Sequence, residues 1–159
     1  MTTIILHTKI NAPIERCFDL SRSIDLHKVS TAHTKEEAID GVTTGLINLG
    51  EYVTWRAVHF GLSQKLTSKI TEFESPSYFV DEMIQGSFKS FKHFHYFETA
   101  ENNTIMTDRL EFKSPMGIIG RFVNVVILKK YMKNLLIKRN EVIKEFAESD
   151  KWREIIINQ

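Results

Sequence analysis

Cysteine is nearly absent from this sequence, and long hydrophobic runs are missing altogether. The one cysteine, Cys17, permits no intramolecular disulfide and argues against a thiolate metal cluster. It falls among apolar residues, so we expect a small buried side chain and not a nucleophile. No run of about 18 apolar residues occurs, which excludes a transmembrane helix. The N-terminal segment MTTIILHTKI has no basic region ahead of an apolar stretch, so we expect no signal peptide and a cytoplasmic location.

Charge of one sign is also scarce, since the formal net charge is only +1. Nucleic-acid-binding proteins present a concentrated basic surface, so we expect no nucleic-acid partner. Hydrophobic residues make up 42% and charged residues 26% of the chain, which indicates a folded protein. The sequence shows no repeat or linker, and its length predicts one domain over residues 1–159.

The C-terminal part of the sequence predicts one long amphipathic helix, from about Gly117 to Ser149. Its apolar residues recur at steps of three and four, which places them on one stripe of a helix. Lysines occupy the opposite, water-facing side. The apolar set is Ile118, Phe122, Val125, Val126, Leu128, Met132, Leu135, Leu136, Val142, Ile143 and Phe146.

The remainder predicts strands and two short helices. Thr2 to Ile10 alternates as a strand does. A helix follows, with Asn11 or Ala12 at its cap and Pro13 in its first turn, and 24–29 predicts a second. Further strands, separated by turn residues, are predicted at 37–39, 51–60, 62–73, 78–85, 88–99 and 104–113.

Long strands joined by short turns indicate an antiparallel sheet, and their separation from the helices favours an α+β fold. A strongly twisted sheet curls, so the long helix can lie in its concave side and leave a cavity between the two.

Several segments carry a resemblance to a known superfamily. They are Thr54-Trp55-Arg56-Ala57, His59-Phe60-Gly61, Phe79 to Met83, Gly86-Ser87-Phe88-Lys89, His93 to Phe97, Thr107-Asp108, Ser114-Pro115-Met116-Gly117 and Arg139-Asn140. The chain resembles the START-like, or SRPBCC, superfamily, and more closely its small bacterial members often labelled cell-division inhibitor or ligand-binding protein. Ser87 stands where those members often have proline.

The resemblance implies a helix-grip fold, in which a curved antiparallel sheet wraps around a long C-terminal helix and two short helices follow the first strand. That superfamily includes lipid-transfer domains, birch-pollen-allergen-like proteins, polyketide cyclases and coenzyme Q-binding proteins. It therefore implies binding, transport or catalysis on one scaffold.

Strand alternation predicts which side chains face the cavity. In 88–99, the face opposite His93 and His95 carries Lys92 and Glu98, so the histidine face is the inner one. The same test places Asp108 inside, and the face of 51–60 with Trp55 and His59 is taken as the inner one. The two faces of 78–85 are nearly balanced, and Asp81 joins the inner set if its face is the buried one. The predicted ligand-binding residues are Trp55, His59, Asp81, Met83, Phe91, His93, His95, Phe97, Met106, Asp108, Leu128, Met132 and Leu135.

A few polar groups in an apolar cleft are typical of a small-molecule site. We expect a hydrophobic ligand of the lipid, isoprenoid or aromatic polyketide class, carried or sensed without a cofactor. Three interpretations of His93 and His95 stay open: structural pairing with a carboxylate such as Asp108, orientation of a polar ligand head group, and acid–base catalysis.

The catalytic interpretation corresponds to a polyketide cyclase/dehydrase-like enzyme that uses His93, His95 and Asp108. A protein-interaction module linked to cell division is a further alternative, which rests on the family label. His-x-His places two rings on one face and Asp108 would be a third metal ligand, but nothing else supports a metal and we expect none.

Arg139 is interpreted as a helix-end charge or ion pair. The apolar tail after Lys151 is expected to dock on the domain or to contact a partner.

Overall fold

The computed structural model describes residues 1–115 and 125–156. Within these residues, seven strands form one antiparallel sheet in the order β1-β7-β6-β5-β4-β3-β2. The strands are β1 (Thr2–Ile10), β2 (Glu37–Gly41), β3 (Tyr52–His59), β4 (Leu62–Glu74), β5 (Tyr78–Gln85), β6 (Phe88–Ala100) and β7 (Asn103–Pro115).

The helices are segregated from these strands along the chain, as the α+β prediction requires. They are α1 (Ile14–Ser21), α2 (Ile24–Ser30), a short 3-10 helix (Ala32–Thr34), α3 (Val125–Glu148) and α4 (Trp152–Ile156). The predicted start of the long helix, with Gly117, Ile118 and Phe122, lies outside the described residues.

The start of α1 differs from the prediction. Pro13 is the cap residue, with a ψ of 147° that keeps it outside the helix, so Asn11 and Ala12 do not cap it. The backbone N–H of Asn11 instead donates to the Glu148 carboxylate at 2.8 Å. This bond ties the end of β1 to the end of α3.

The main core lies where α1 meets the sheet. The ring of Phe18 makes edge-to-face contacts with Phe73, Phe79 and Phe97 at centroid distances of 5.3–5.5 Å. Cys17 is fully buried, and burial raises the pKa of its thiol to about 11, so it is not an activated nucleophile. The apolar tail forms α4 and docks on this core, where the Arg16 guanidinium lies 4.3 Å from the Trp152 ring.

The buried stripe of α3 differs in part from the predicted one. Leu128, Leu136 and Ile143 are buried as predicted, but Val125 and Val126 are 48% and 74% exposed. Arg139 and Asn140 lie on the stripe and are buried instead. The contact with the sheet therefore contains two polar side chains.

Candidate functional site

A cavity of about 210 Å³ lies between the concave face of the sheet, the α1–α2 junction and α3. Its wall is mostly apolar. Nine of the sequence-predicted residues line it: Trp55, His59, Asp81, Phe91, His93, His95, Leu128, Met132 and Leu135.

Four predicted residues lie away from the cavity wall, because strand alternation predicts the face of a side chain but not its depth. Phe97 is in the core against Phe18, and Met106 Sδ accepts a hydrogen bond from the Ser21 hydroxyl at 3.4 Å. Asp108 is fully buried behind the imidazoles. Met83 lies against Gly86 at the end of β5.

Four polar side chains form a group here called the His–Asp cluster: Asp81, His93 and His95 line the cavity, and Asp108 is buried behind them. His93 Nε2 lies 2.8 Å from Asp108 Oδ1, and His95 Nδ1 lies 3.2 Å from the same oxygen. On the other side, His95 Nε2 lies 2.9 Å and His93 Nδ1 lies 3.8 Å from Asp81 Oδ2. The two rings are 3.8 Å apart. Two imidazoles are thus held between two carboxylates.

This cluster is fixed to α3 and α1. Asn140 Nδ2 donates to Asp108 Oδ2 at 2.7 Å, and Arg139 Nη1 lies 3.4 Å from Asp108 Oδ1. The second guanidinium nitrogen donates to the Ser21 carbonyl at 2.9 Å. Of the two interpretations of Arg139, the structure agrees with the ion pair and not with the helix-end charge, since α3 continues to Glu148. It is an interior ion-pair partner.

Burial and charge set the protonation states of the cluster. Burial raises the pKa of both carboxyls, but the imidazole hydrogen bonds and the Arg139 charge outweigh it, so the pKa of Asp81 is lowered and that of Asp108 lies well below its usual range. Burial, followed by the neighbouring His95, lowers the pKa of His93 to about 4. His93 is therefore neutral at pH 7 and donates through Nε2 to ionised Asp108. Its Nδ1 is left as a bare acceptor beside the cavity.

A second polar group on the wall, here called the His–Tyr cluster, consists of His27, Glu36, His59 and Tyr131. His59 Nδ1 and the Tyr131 hydroxyl are hydrogen-bonded at 2.8 Å, and His27 Nε2 lies 3.5 Å from Glu36 Oε1. The His27 ring packs on Trp55 at 4.2 Å. Burial lowers the pKa of His59.

Sequence reasoning missed three members of the His–Tyr cluster. Tyr131 had a signal, since it lies three residues after Leu128 and four before Leu135, on the buried stripe. Glu36 had none, because it lies in a polar segment whose composition is typical of a solvent-facing loop. His27 sits on a helix too short to show a clear periodicity.

Among residues 1–115 and 125–156, Asp81, His93 and His95 each place one possible metal-ligand atom within 4.8 Å of the others. The sequence suggested Asp108 as the carboxylate of such a set. Asp108 is on the far side of the rings from the cavity, and Asp81 is on the near side.

No family model matches the sequence, and no curated protein matches it. Solved structures match its fold over most of the chain. The protein TTHA0849 from Thermus thermophilus is 17% identical, with a TM-score of 0.69 over 89% of this chain and 97% of that one. A START superfamily protein from Mycobacterium smegmatis is 11% identical, with a TM-score of 0.69 over 92% of this chain and 97% of its own. Ara h 8.0201 is 12% identical, with a TM-score of 0.64 over 92% and 97%.

The chain therefore has the START-like, or SRPBCC, helix-grip fold, and the prediction of this fold is confirmed. Identities this low show the fold alone, since one fold supports many functions. Among the described residues, no helix is long and apolar enough to cross a membrane.

Proposed function

We propose that this protein binds a small amphipathic molecule, with its apolar body against the cavity wall and its polar head at the His–Asp cluster. One observation carries the proposal: Asp81, His93 and His95 come together in the mostly apolar wall of the cavity, and the His93–Asp108 and His95–Asp81 hydrogen bonds hold them in place. Apolar pockets with few, convergent polar groups are typical of small-molecule sites.

The size of the cavity favours a compact ligand. Its volume of about 210 Å³ lies below the roughly 300–1,000 Å³ of pockets for drug-sized molecules. Burial of apolar ligand surface contributes about 25 cal/mol per Å², from which the cost of association is subtracted. Among lipids, isoprenoids and aromatic polyketides, a short isoprenoid or a small aromatic molecule fits best.

The protonation states indicate the chemistry of the head group. Ionised Asp81 and the bare Nδ1 of His93 both accept hydrogen bonds, so the matching head group is a donor such as a hydroxyl. A carboxylate head would meet the negative charge of Asp81. We therefore propose an alcohol or a phenol as the ligand class.

A titration with two matched monoterpenes tests this proposal. Menthol carries a hydroxyl donor, whereas menthone has the same carbon skeleton and a carbonyl that only accepts. Trp55 lines the cavity, so its fluorescence reports binding once Trp152 is replaced (Trp152→Phe). We expect menthol to bind about tenfold more tightly, as one hydrogen bond to a charged group predicts.

The matched control is Asp81→Asn, which keeps the shape of the side chain but adds an amide donor. We expect this variant to lose the preference for menthol over menthone. Equal affinities of the two compounds for the wild type would overturn the proposed head group, and no response to either would overturn binding of compact isoprenoids. Native mass spectrometry of protein purified without added ligand, followed by denaturing extraction, would identify a co-purified natural ligand.

An acid–base enzyme, of the polyketide cyclase/dehydrase kind, is a second candidate that one observation favours. Asp108 holds His93 through Nε2 and directs the opposite ring nitrogen toward the cavity, which is how a general base is oriented. However, an imidazole with a pKa near 4 is a weak base at pH 7, so ligand binding is the leading proposal and catalysis the second.

A role linked to cell division rests on the family resemblance alone. A cytoplasmic location, which the single buried cysteine supports, is part of the proposal.

A further inference from the structure

Each imidazole of the His–Asp cluster has one ring nitrogen facing Asp108 and the other facing Asp81. His93 Nε2 and His95 Nδ1 both face Asp108 Oδ1, at 2.8 and 3.2 Å. His93 Nδ1 and His95 Nε2 both face Asp81 Oδ2, at 3.8 and 2.9 Å. Two metal-binding imidazoles require this arrangement, since each must present one nitrogen to the metal and the other to a hydrogen-bond acceptor behind it.

The distances on the Asp81 side fit a small divalent cation. Zinc bonds of about 2.0–2.1 Å to nitrogen and oxygen give ligand–ligand distances of about 3.3 Å in a tetrahedron. The two separations from Asp81 Oδ2 bracket this value, at 2.9 and 3.8 Å. Shifts of about half an ångström in the side chains would equalise them. Asp81, His93 and His95 all line the cavity, so a fourth ligand would approach from the cavity.

Asp108 lies behind both rings, near the nitrogen of each ring that does not face Asp81. It is fully buried, and Asn140 and Arg139 hold it in place. Its bond to His93 Nε2 keeps the proton there and leaves Nδ1 free to ligate. Such carboxylate–histidine pairs set the tautomer and the orientation of metal-binding rings.

The environment of His95 is the second observation that points to a ligand. Its Nδ1 is buried and makes no hydrogen bond within the described residues, although Asp108 Oδ1 is near, because Nε2 carries the proton toward Asp81. With a metal on Nε2, that proton would move to Nδ1 and be donated to Asp108. Coordination would thus satisfy a buried nitrogen that otherwise lacks a partner.

We propose that Asp81, His93 and His95 form a binding site for a divalent transition-metal ion, with Asp108 as the shared carboxylate that accepts hydrogen bonds from both rings. Two imidazoles and one carboxylate suit Zn²⁺, Cu²⁺ or Ni²⁺ better than Mg²⁺ or Ca²⁺. Asp81 and Asp108 place two carboxylates at the site against the one guanidinium of Arg139, an arrangement that favours a bound cation. This proposal departs from the sequence-based expectation of no metal and takes Asp81 in place of Asp108.

The site does not depend on the proposed binding of an amphipathic ligand, although the two are compatible. A ligand hydroxyl can donate to Asp81 in the metal-free protein or occupy the open metal position in the loaded one. Menthol binding to chelator-treated protein therefore tests the first proposal alone, and metal binding without menthol tests the second alone.

Cobalt serves as a spectroscopic probe of the site. The full chain, stripped with a chelator and dialysed, is titrated with Co²⁺ while its visible d–d absorption is recorded, and Zn²⁺ is then added in competition. We expect one Co²⁺ per chain, intense bands typical of four-coordination, and displacement by one equivalent of Zn²⁺. Asp81→Asn and His95→Gln should each weaken binding by more than about tenfold. The matched control, His7→Gln, alters an imidazole that bonds to Thr107 outside the cluster and should change nothing.

Absence of the d–d bands would overturn the proposal, as would an affinity that Asp81→Asn and His95→Gln leave unchanged, since the ion would then bind elsewhere. If either variant fails to fold, the wild type decides the question through the ¹⁵N shifts of its imidazoles. We expect Zn²⁺ to shift His93 Nδ1 and His95 Nε2. Shifts confined to other histidines would contradict the site.

Discussion

Arg139 of α3 and Asp108 of β7 form an ion pair in the interior, with 3.4 Å between Nη1 and Oδ1 and at most 9% exposure of either side chain. Buried ion pairs stabilise proteins little compared with apolar residues of the same volume, but the loss of one partner leaves an uncompensated charge. Here the pair holds the carboxylate that orients His93. Its role is therefore to position the floor of the cavity.

Breaking this pair should be costly, and its two members should be coupled. We expect Asp108→Asn to lower the free energy of unfolding by about 3–5 kcal/mol, since Arg139 would keep a buried charge without its counter-ion. In the Asp108→Asn background, Arg139→Met should lower the free energy of unfolding much less than it does in the wild type. Urea denaturation of the two single variants and the double variant measures this coupling. Additive losses would show that the two charges do not interact.

Filling the cavity should separate stability from binding. Ala57 lines the cavity, so Ala57→Leu should enter open space, with an unfolding free energy that is unchanged or raised, and should abolish menthol binding. Ala147 is fully buried in the packed core away from it, so Ala147→Leu should cost about 1–3 kcal/mol by overpacking. Thermal denaturation measures the stability of the two variants, and Trp55 fluorescence measures their menthol binding. Equal destabilisation of both variants would mean that the space beside Ala57 is already filled.

The His–Tyr cluster should make the protein sensitive to acid. Burial lowers the pKa of His59 below its ordinary 6.5, and of the charged groups near it Glu36 raises this pKa while His33 lowers it. The unfolded chain therefore takes up a proton more readily, so stability is lost as the pH falls below about 6.5. We expect His59→Gln to remove part of the loss of stability between pH 7 and pH 5.5. Urea denaturation at both pH values measures the free energy of unfolding. An identical loss in wild type and variant would contradict the role of His59.

Part of the inner surface followed from the sequence because residues 91–98 of β6 carry their Lys and Glu side chains on one face only. Lys92 and Glu98 identified the outer face of β6, and the structure places His93 and His95 on the inner face. The nearly balanced faces of β5 were resolved only by the fold, where Asp81 lies opposite His93 on the neighbouring strand.

The depth of a side chain behind the cavity wall, and the pairing of charges that are distant in sequence, were not predictable in this way. Arg139 has the spacing of a buried residue, three after Leu136 and four before Ile143, but a charge is assigned to the solvent face unless its partner is known. That partner, Asp108, is 31 residues earlier in the chain. Which carboxylate lies before the imidazoles and which behind depends on sheet curvature, and alternation contains no information about it.

The central claim, that the cavity is the ligand site, is tested most directly by NMR of methyl-labelled protein saturated with menthol. We predict intermolecular NOEs from menthol to the methyl groups of Leu128, Met132 and Leu135, which line the cavity, and their loss in Ala57→Leu. NOEs confined to exposed methyl groups such as those of Leu49 and Ile84, at 58% and 59% exposure, would contradict it.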